Sequence, residues 1–530
     1  MKKVAIIGGG VTGLSAAYTI KKAIENGADI DYVVLEKSSR LGGKINTLRT
    51  DDGYVIEGGP DCFVSTKPSV FNLANELQCE DRLIGSNDHD KKTYVLVKGK
   101  LCELPDGIMM MVPTKIKPFI TTNLFSWPGK MRMAMDLFIA KKQDPGDESL
   151  ASFVNRRLGK EALDRIAEPL VAGIHAGDPE TMSLAATFPN FLDMEQKYGS
   201  LIKGMLTAMK HKPAGQGSQG PLGTQHGKQD SPNGSSGASQ SSKPAGAKPV
   251  NAKGNGSNTA SCPAGHGNSP EPKAKRTFFM SFKGGMQDII DALFEALDKD
   301  KIVMNTSVSS VEEIVKTDGG RSYKLKINDG KTMEVDAVIL ALPASATANI
   351  VQEIDKPLAE VLRDIPMVSS ATVTMAFKKK DLSCDLKGFG FVVPHVEGRK
   401  IMATTWSSTK WSYRTPDDEH VIIRAFVGGA KAQHLAGMKD DEMKSAVLHE
   451  LKSIMGVDAE PVHVWIFHWD KGMPQYTMGH LDRVKEISER VVTHQGLFTC
   501  GGSYAGVGVP DCINSGTKAA ESAIDLLQRS

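Results

Sequence analysis

Gly8-Gly9-Gly10-Val11-Thr12-Gly13 follows the apolar run Val4-Ala5-Ile6-Ile7 and leads into a helical pattern over residues 14–24. A buried strand, a glycine-rich turn and a helix in that order open a βαβ unit, and the second strand reads at residues 32–35. Gly8, Gly10 and Gly13 stand in GxGxxG spacing, each with its own task. The first allows the tight turn, the second lets the backbone approach a pyrophosphate, and the third lets helix and strand pack closely. Gly9, Val11 and Thr12 complete the turn, and the helix N-terminus offers unbonded N–H groups and a positive dipole end to phosphate. Glu36 ends the second strand, 23 residues after Gly13. A carboxylate there accepts hydrogen bonds from an adenosine ribose and repels an additional 2′-phosphate.

Working outward, 530 residues exceed one core and suit two or three packed lobes. With 40% hydrophobic and 24% charged residues the chain is neither collagen-like nor disordered throughout. No run approaches the roughly 18 apolar residues of a spanning helix. Residues 1–3 pass straight into the first strand without a small-residue cleavage site, which predicts no secretory leader. Seven scattered cysteines, none in CxxC spacing, argue against a disulfide framework or a cysteine-based zinc site and fit a reducing cytoplasm; no metal site is expected. The net charge of +2 is carried by one segment: residues 213–276 hold seven Lys/Arg against two acids, and without them the chain would carry −3. Nothing else points to nucleic acid. That segment has no Phe, Trp or Tyr and only one Leu and one Val, so it reads as a disordered surface insertion.

Elsewhere strand and helix signals alternate. Residues 107–210 lack strand alternation and read as mainly helical. Strands are expected at 302–304, 307–315, 323–327 and 337–342, with turns at Gly319-Gly320 and Asp329-Gly330. Further strands are expected at 371–377, 389–393, 400–405, 421–427 and 462–469, and a final helix at about 510–527.

The stretch after Glu36, with Lys37, Arg40, Leu41, Gly42, Gly43 and Lys44, resembles the signature of the FAD-dependent amine oxidase, phytoene desaturase and porphyrinogen oxidase superfamily. Its distant second half stands at Cys500-Gly501-Gly502-Ser503-Tyr504 and Gly506-Val507-Gly508-Val509-Pro510, where proline suits a helix start. The resemblance implies an α/β (α+β) fold with a Rossmann-like FAD domain, a mixed-sheet substrate domain and a helical lobe. It implies a discontinuous FAD domain from 1–85, 277–345 and 484–530, a substrate domain from 86–106 and 346–483, and a lobe at 107–212. Within it, Gly58-Gly59-Pro60-Asp61 is expected beside the flavin ring, the final helix N-terminus under its pyrimidine side, and Val308 at the adenine through its backbone. Trp411 reads as a flavin neighbour or as an ordinary packed aromatic.

Residues 54–61, 168–179, 386–390 and Met473-Pro474-Gln475-Tyr476 with Gly479-His480 narrow the resemblance to porphyrinogen oxidases of heme biosynthesis. Residues 112–119 and 193–197 look most like the coproporphyrinogen III branch of Gram-positive bacteria; protoporphyrinogen IX is the alternative substrate. The reaction takes a hydride from a meso carbon to the flavin and a proton from a pyrrole nitrogen, so no catalytic side chain is assigned. Oxygen is the implied acceptor, giving hydrogen peroxide, and a downstream heme-pathway enzyme is a candidate partner. By position Val351, Leu362 and Phe389 match residues that sandwich the substrate, although their apolar character alone reads as core. Ile174, His175, Ala176 and Gly177 match a pocket-lining segment. Thr93 stands where plant relatives carry a propionate-pairing Arg, which leaves Lys91 and Lys92 as anchors or as solvated surface lysines. Residues 107–142 combine Met109, Met110, Met111, Phe119, Trp127 and Phe138 with six Lys/Arg against Asp136. This fits peripheral contact with an anionic membrane, or a lobe packed on its neighbour with a basic outer face. The rival functions are a flavin amine oxidase or carotenoid desaturase, and a non-enzymatic protein using the FAD fold for binding.

Overall fold

The computed structural model describes residues 1–87, 91–109, 111–144, 146–210, 275–316, 320–328 and 330–529. A five-stranded parallel sheet carries the N-terminal motif. Its order is Ile302–Val303, Ile30–Leu35, Lys2–Ile7, Ala337–Leu340 and Leu497–Thr499, so its members come from both ends and the middle of the chain. Both faces are covered, and the strands therefore read as unbroken apolar runs. Val4 and Ile6 face a core shared with the helices Val11–Glu25, Gln287–Ala296 and Val509–Arg529. Ala5 and Ile7 face the opposite core, where the antiparallel strands Val308–Val315, Arg321–Ile327 and Lys331–Val335 pack with the helices Ala344–Val351, Lys356–Arg363 and His480–Thr493.

The second large sheet has seven strands in the order His463–Pro474, Met367–Lys378, His420–Gly428, Ala403–Trp406, Gly390–Val392, Thr93–Val97 and Lys100–Glu103. The hairpin of Thr93–Val97 and Lys100–Glu103 is carried in from far upstream and pairs in parallel, Thr93 against Gly390. Its two longest strands outrun the expected limits. Met367–Lys378 and His463–Pro474 continue past a bulge between Val368 and Ser370.

The lobe over residues 107–210 is helical around Phe153, Phe188, Phe191 and Leu184, with one departure from expectation. Ile108–Met109 and Val112–Pro113 form a two-residue antiparallel pair, too short for alternation to reveal. Its polar centre is Arg157, fully buried, whose Nε donates to Asp136 at 2.6 Å; Asp136 also accepts from Ser200 Oγ at 2.6 Å. Asp136 is thus internal and does not offset the lysines outside.

The insertion expected at 213–276 lies outside the described residues up to position 274, as do Gly319 and Asp329 of the expected turns. At its far end Arg276 stacks its guanidinium on the Phe71 ring at 4.1 Å, so packed structure begins before the expected boundary. Among the described residues, no helix is long and apolar enough to cross a membrane.

Candidate functional site

The turn at residues 8–13 is held by contacts that explain two of its three motif glycines and leave the third open. Gly8 has φ +110°, and a Cβ there would stand 2.6 Å from the Ala341 carbonyl oxygen. A Cβ on Gly13 would stand 1.9 Å from Gly8 O, so helix and strand meet through that position. Gly10 has φ −75°, which any residue adopts, and a Cβ there would meet nothing nearer than Gly43 Cα at 3.9 Å. The protein's own packing does not require glycine at 10. Its bare face borders open space, as a phosphate-bearing ligand requires.

Glu36 borders the same turn. Gly9 N–H donates to its Oε2 at 2.6 Å, and the Ser38 N–H and O–H donate to Oε1 at 2.8 and 2.7 Å. Gly42 N–H donates to Gly9 O at 2.8 Å and ties the G-G-K loop to the first turn. Arg40 spends its donors on Leu41 O, Ile45 O and Gly43 O, the last at 2.6 Å, so it shapes this loop from outside; burial pushes its pKa down. Lys37 is exposed beside it. Thr306 N–H donates to Glu36 O at 2.8 Å, which brings the half-buried Val308 at the next strand's start near the same edge.

Gly58 and Gly59 are fixed from beneath by the seven-stranded sheet. Gly58 O accepts from Thr372 Oγ1 at 3.1 Å, Trp469 Nε1 at 2.9 Å and Arg424 at 3.1 Å, and Gly59 O accepts from Arg424 at 2.6 Å. Past Pro60, Asp61 accepts from Lys410 Nζ at 3.0 Å and Trp411 Nε1 at 3.1 Å. Burial alone would raise the Asp61 carboxyl; Lys410, Arg424 and Trp411 reverse this and hold it well below the usual carboxylate range. Trp411 is buried, with its indole N–H committed to Asp61, so it braces the Gly58-to-Asp61 segment.

The C-terminal half of the site closes opposite. Gly501 and Gly506 take φ of +119° and +149°, and Gly502 and Gly508 border the turn before the helix Val509–Arg529. Val509 and Pro510 are buried at that helix start, and Asp511 in its first turn pairs with Lys67 at 2.6 Å. Lys44 is exposed; desolvation by its neighbours pushes its ammonium pKa down, partly countered by Cys512 at the helix start. Lys44, Lys67 and Arg424 were not expected at the site. Lys44 merely continues the G-G-K run, and Arg424 is a lone charge inside the apolar strand His420–Gly428. Lys67 carries no such signal.

Of the expected substrate residues, some converge and two do not. Phe389 N–H donates to Lys92 O at 2.7 Å, so the half-buried Phe389 stands beside Lys92 and Thr93. Lys92 Nζ lies 3.2 Å from Glu103, an exposed pair, while Lys91 is exposed next to it. The helix Glu168–His175 comes against the same sheet region: a Cβ on Gly173 would lie 3.7 Å from Val392 and from Ala403. Beyond it Ile174 is exposed, His175 half-buried against Phe188, and Ala176 takes the left-handed conformation at φ 48° ahead of the buried Gly177. Val351 and Leu362 must be corrected. Both are fully buried, packed with Ala344, Leu358 and Leu340 on the nucleotide side of the molecule, and their apolar helical spacing reflects core.

The open face of Gly10, the Glu36 carboxylate beside it and a second glycine loop at a helix N-terminus fit an FAD-dependent oxidoreductase. The chain belongs to the flavin-containing amine oxidoreductase family, whose model matches residues 11–524. It is 33% identical to the coproporphyrinogen III oxidase of Bacillus subtilis, over 99% of this chain and 98% of that one. It is 27% identical to protoporphyrinogen oxidase 2 of Arabidopsis thaliana, over 99% and 94%. Among solved structures it matches one from Exiguobacterium, described as a protoporphyrinogen oxidase, with TM-score 0.77, 31% identity and 99% and 98% coverage.

Proposed function

We propose that this protein oxidises a porphyrinogen to a porphyrin in heme biosynthesis, with coproporphyrinogen III as the preferred substrate and oxygen as the final acceptor, releasing hydrogen peroxide. The observation that carries this is the near end-to-end likeness to a coproporphyrinogen III oxidase. Phe389 beside Lys92 and Thr93, with the helix that ends at His175 packed on the same sheet at Val392 and Ala403, supports it. When bound along Gly10, Glu36 and Gly508, FAD supplies a hydride acceptor. The protein's own share is orientation: the sheet holds the Gly58-Gly59 carbonyls in place, and Ile174 and Phe389 offer apolar surface to a flat ring. Ser503 Oγ accepts from Ala344 N–H at 3.0 Å and Tyr504 is buried, so this turn offers no aromatic pair of the kind an amine oxidase would need.

Without a guanidinium at position 93 the site lacks a bidentate anchor for a two-propionate substrate, and a lysine-bordered mouth suits a substrate carrying carboxylates around its rim. The test is kcat/KM for both porphyrinogens at one ionic strength, followed by porphyrin fluorescence. Coproporphyrinogen III should be favoured, and Thr93→Arg should move preference toward protoporphyrinogen IX. A tenfold advantage for protoporphyrinogen IX in the unaltered protein, about 1.4 kcal/mol of transition-state binding, would overturn the substrate assignment.

We further propose a cytoplasmic protein that rests on an anionic membrane through its helical lobe. Ile116, Trp127, Met131 and Phe138 are 77%, 65%, 66% and 86% exposed, with Lys115, Lys117 and Lys141 around them. Such a surface would let the enzyme meet a downstream heme-pathway partner at the membrane.

A further inference from the structure

The run Met473-Pro474-Gln475-Tyr476 and the pair Gly479-His480 have no part in the site as described so far, yet they lie between its two halves. Tyr476 is 5% exposed. Its hydroxyl accepts from Gly506 N–H at 2.7 Å and donates to Gly502 O at 2.8 Å, spanning the glycine loop before the last helix. The preceding side chain reaches elsewhere. Gln475 Nε2 donates to His175 O at 3.0 Å, and a Cβ on Gly177 would lie 3.0 Å from Gln475 Oε1.

The backbone bearing both is itself pinned. Gln475 N–H donates to Pro366 O at 2.8 Å, Ser183 N–H donates to Tyr476 O at 2.8 Å, and Met478 N–H donates to Thr181 O at 2.9 Å. The buried His480 stacks on the Tyr476 ring with centroids 4.0 Å apart and an interplanar angle of 12°. Its Nε2 lies 3.0 Å from Tyr504 O, in the same glycine loop; a carbonyl only accepts, so Nε2 carries the proton. Burial pushes the Tyr476 phenol far above its usual pKa, so the hydroxyl remains both donor and acceptor.

We infer that Gln475 and Tyr476 are positioning residues that lock the 174–177 segment and the 502–508 loop to one short stretch of backbone, and so fix how a substrate ring is seated relative to the flavin. The inference rests on the placement of FAD at the 502–510 turn and of substrate at 174–177. The two side chains divide the task. Loss of the Tyr476 hydroxyl leaves Gly506 N–H and Gly502 O without their partner and loosens the cofactor side. Loss of the Gln475 amide removes a donor from the His175 carbonyl and loosens the substrate side.

The test uses the FAD-loaded enzyme. Tyr476→Phe keeps the ring and its stack on His480. It should weaken FAD retention at least fivefold and alter the bound-flavin absorption band, with KM for coproporphyrinogen III within twofold. Gln475→Met should raise that KM at least fivefold and leave FAD retention and the absorption band unchanged. Wild-type FAD retention and spectrum in Tyr476→Phe, or an unchanged KM in Gln475→Met, would overturn the inference. Equal loss of FAD in both variants would also overturn it, since that is what a merely structural strut would give. Should Tyr476→Phe yield no folded protein, Gln475→Met decides alone by its KM. Gly508→Val separates this inference from the placement beneath it. Full flavin content in Gly508→Val removes the cofactor from this loop, whereas flavin loss there with a silent Tyr476→Phe removes only the clamp.

Discussion

Gly516 of the last helix sits directly on the carbonyl oxygen of Thr12 in the first: a Cβ added to Gly516 would lie 2.0 Å from that oxygen. The first and last helices therefore meet here backbone to backbone. No side chain can enter without parting the helices that follow Gly10 and Gly508. Gly516→Ala should destabilise the folded protein by about 3 kcal/mol, at the upper end of overpacking costs, and should release flavin at temperatures where the wild type keeps it. Chemical denaturation with flavin fluorescence as a second probe measures both. A variant as stable as the wild type would show that these helices can separate freely.

The three motif glycines should fail in different ways. Gly13→Ala drives a Cβ into Gly8 O and should give little folded protein. Gly10→Val meets open space on the protein's side and should fold with near-native circular dichroism, yet bind FAD at least tenfold more weakly because the side chain occupies the phosphate's place. Glu36→Ala should also lose flavin, since the ribose acceptor goes together with the carboxylate that takes the Gly9 and Ser38 N–H groups and holds the turn. Full flavin content in Gly10→Val would move the cofactor away from this turn.

His480 predicts a specific acid sensitivity. Burial pushes its pKa from 6.5 down to about 4, with the Tyr504 carbonyl partly opposing this. In the unfolded chain the imidazole takes up a proton near pH 6.5, and in the folded protein only near pH 4. Between those values the unfolded state binds the extra proton, so His480 costs stability progressively as pH falls, by on the order of 3 kcal/mol in all. His480→Gln keeps an N–H donor and cannot titrate. The stability difference between wild type and variant should therefore shrink or reverse from pH 7 to pH 4. A constant difference across that range would mean that His480 titrates normally.

The helical lobe can be tested without the active site. Replacing Trp127 and Phe138 with Ser should abolish co-sedimentation with vesicles containing phosphatidylglycerol and leave flavin content unchanged, because neither side chain contributes to a core. Added salt should weaken the wild-type interaction, as expected where lysines face anionic headgroups. Equal sedimentation of wild type and variant would place any membrane contact elsewhere.

The sequence by itself determined the parts of this protein that local pattern specifies. The strand, turn and helix at residues 2–25, the carboxylate at Glu36 and the final helix were all legible, because a buried parallel strand reads as an apolar run and a phosphate turn needs glycine at set spacing. The resemblance joins residues 86–106 to the substrate domain, but the hairpin at Thr93–Val97 and Lys100–Glu103 is not legible as strands, because its pairing with Gly390–Val392 crosses nearly 300 positions and leaves no mark on either strand. Val351 and Leu362 were misplaced for a related reason: apolar residues on amphipathic helices look the same whether they meet a ligand or another core residue, and only their packing under the nucleotide sheet decides. The tertiary structure alone placed Arg424 under the Gly58 and Gly59 carbonyls and Tyr476 across the last glycine loop. Each such contact joins residues that chain order keeps apart, and a hydrogen bond between them exists only once the sheets have brought donor and acceptor within about 3 Å.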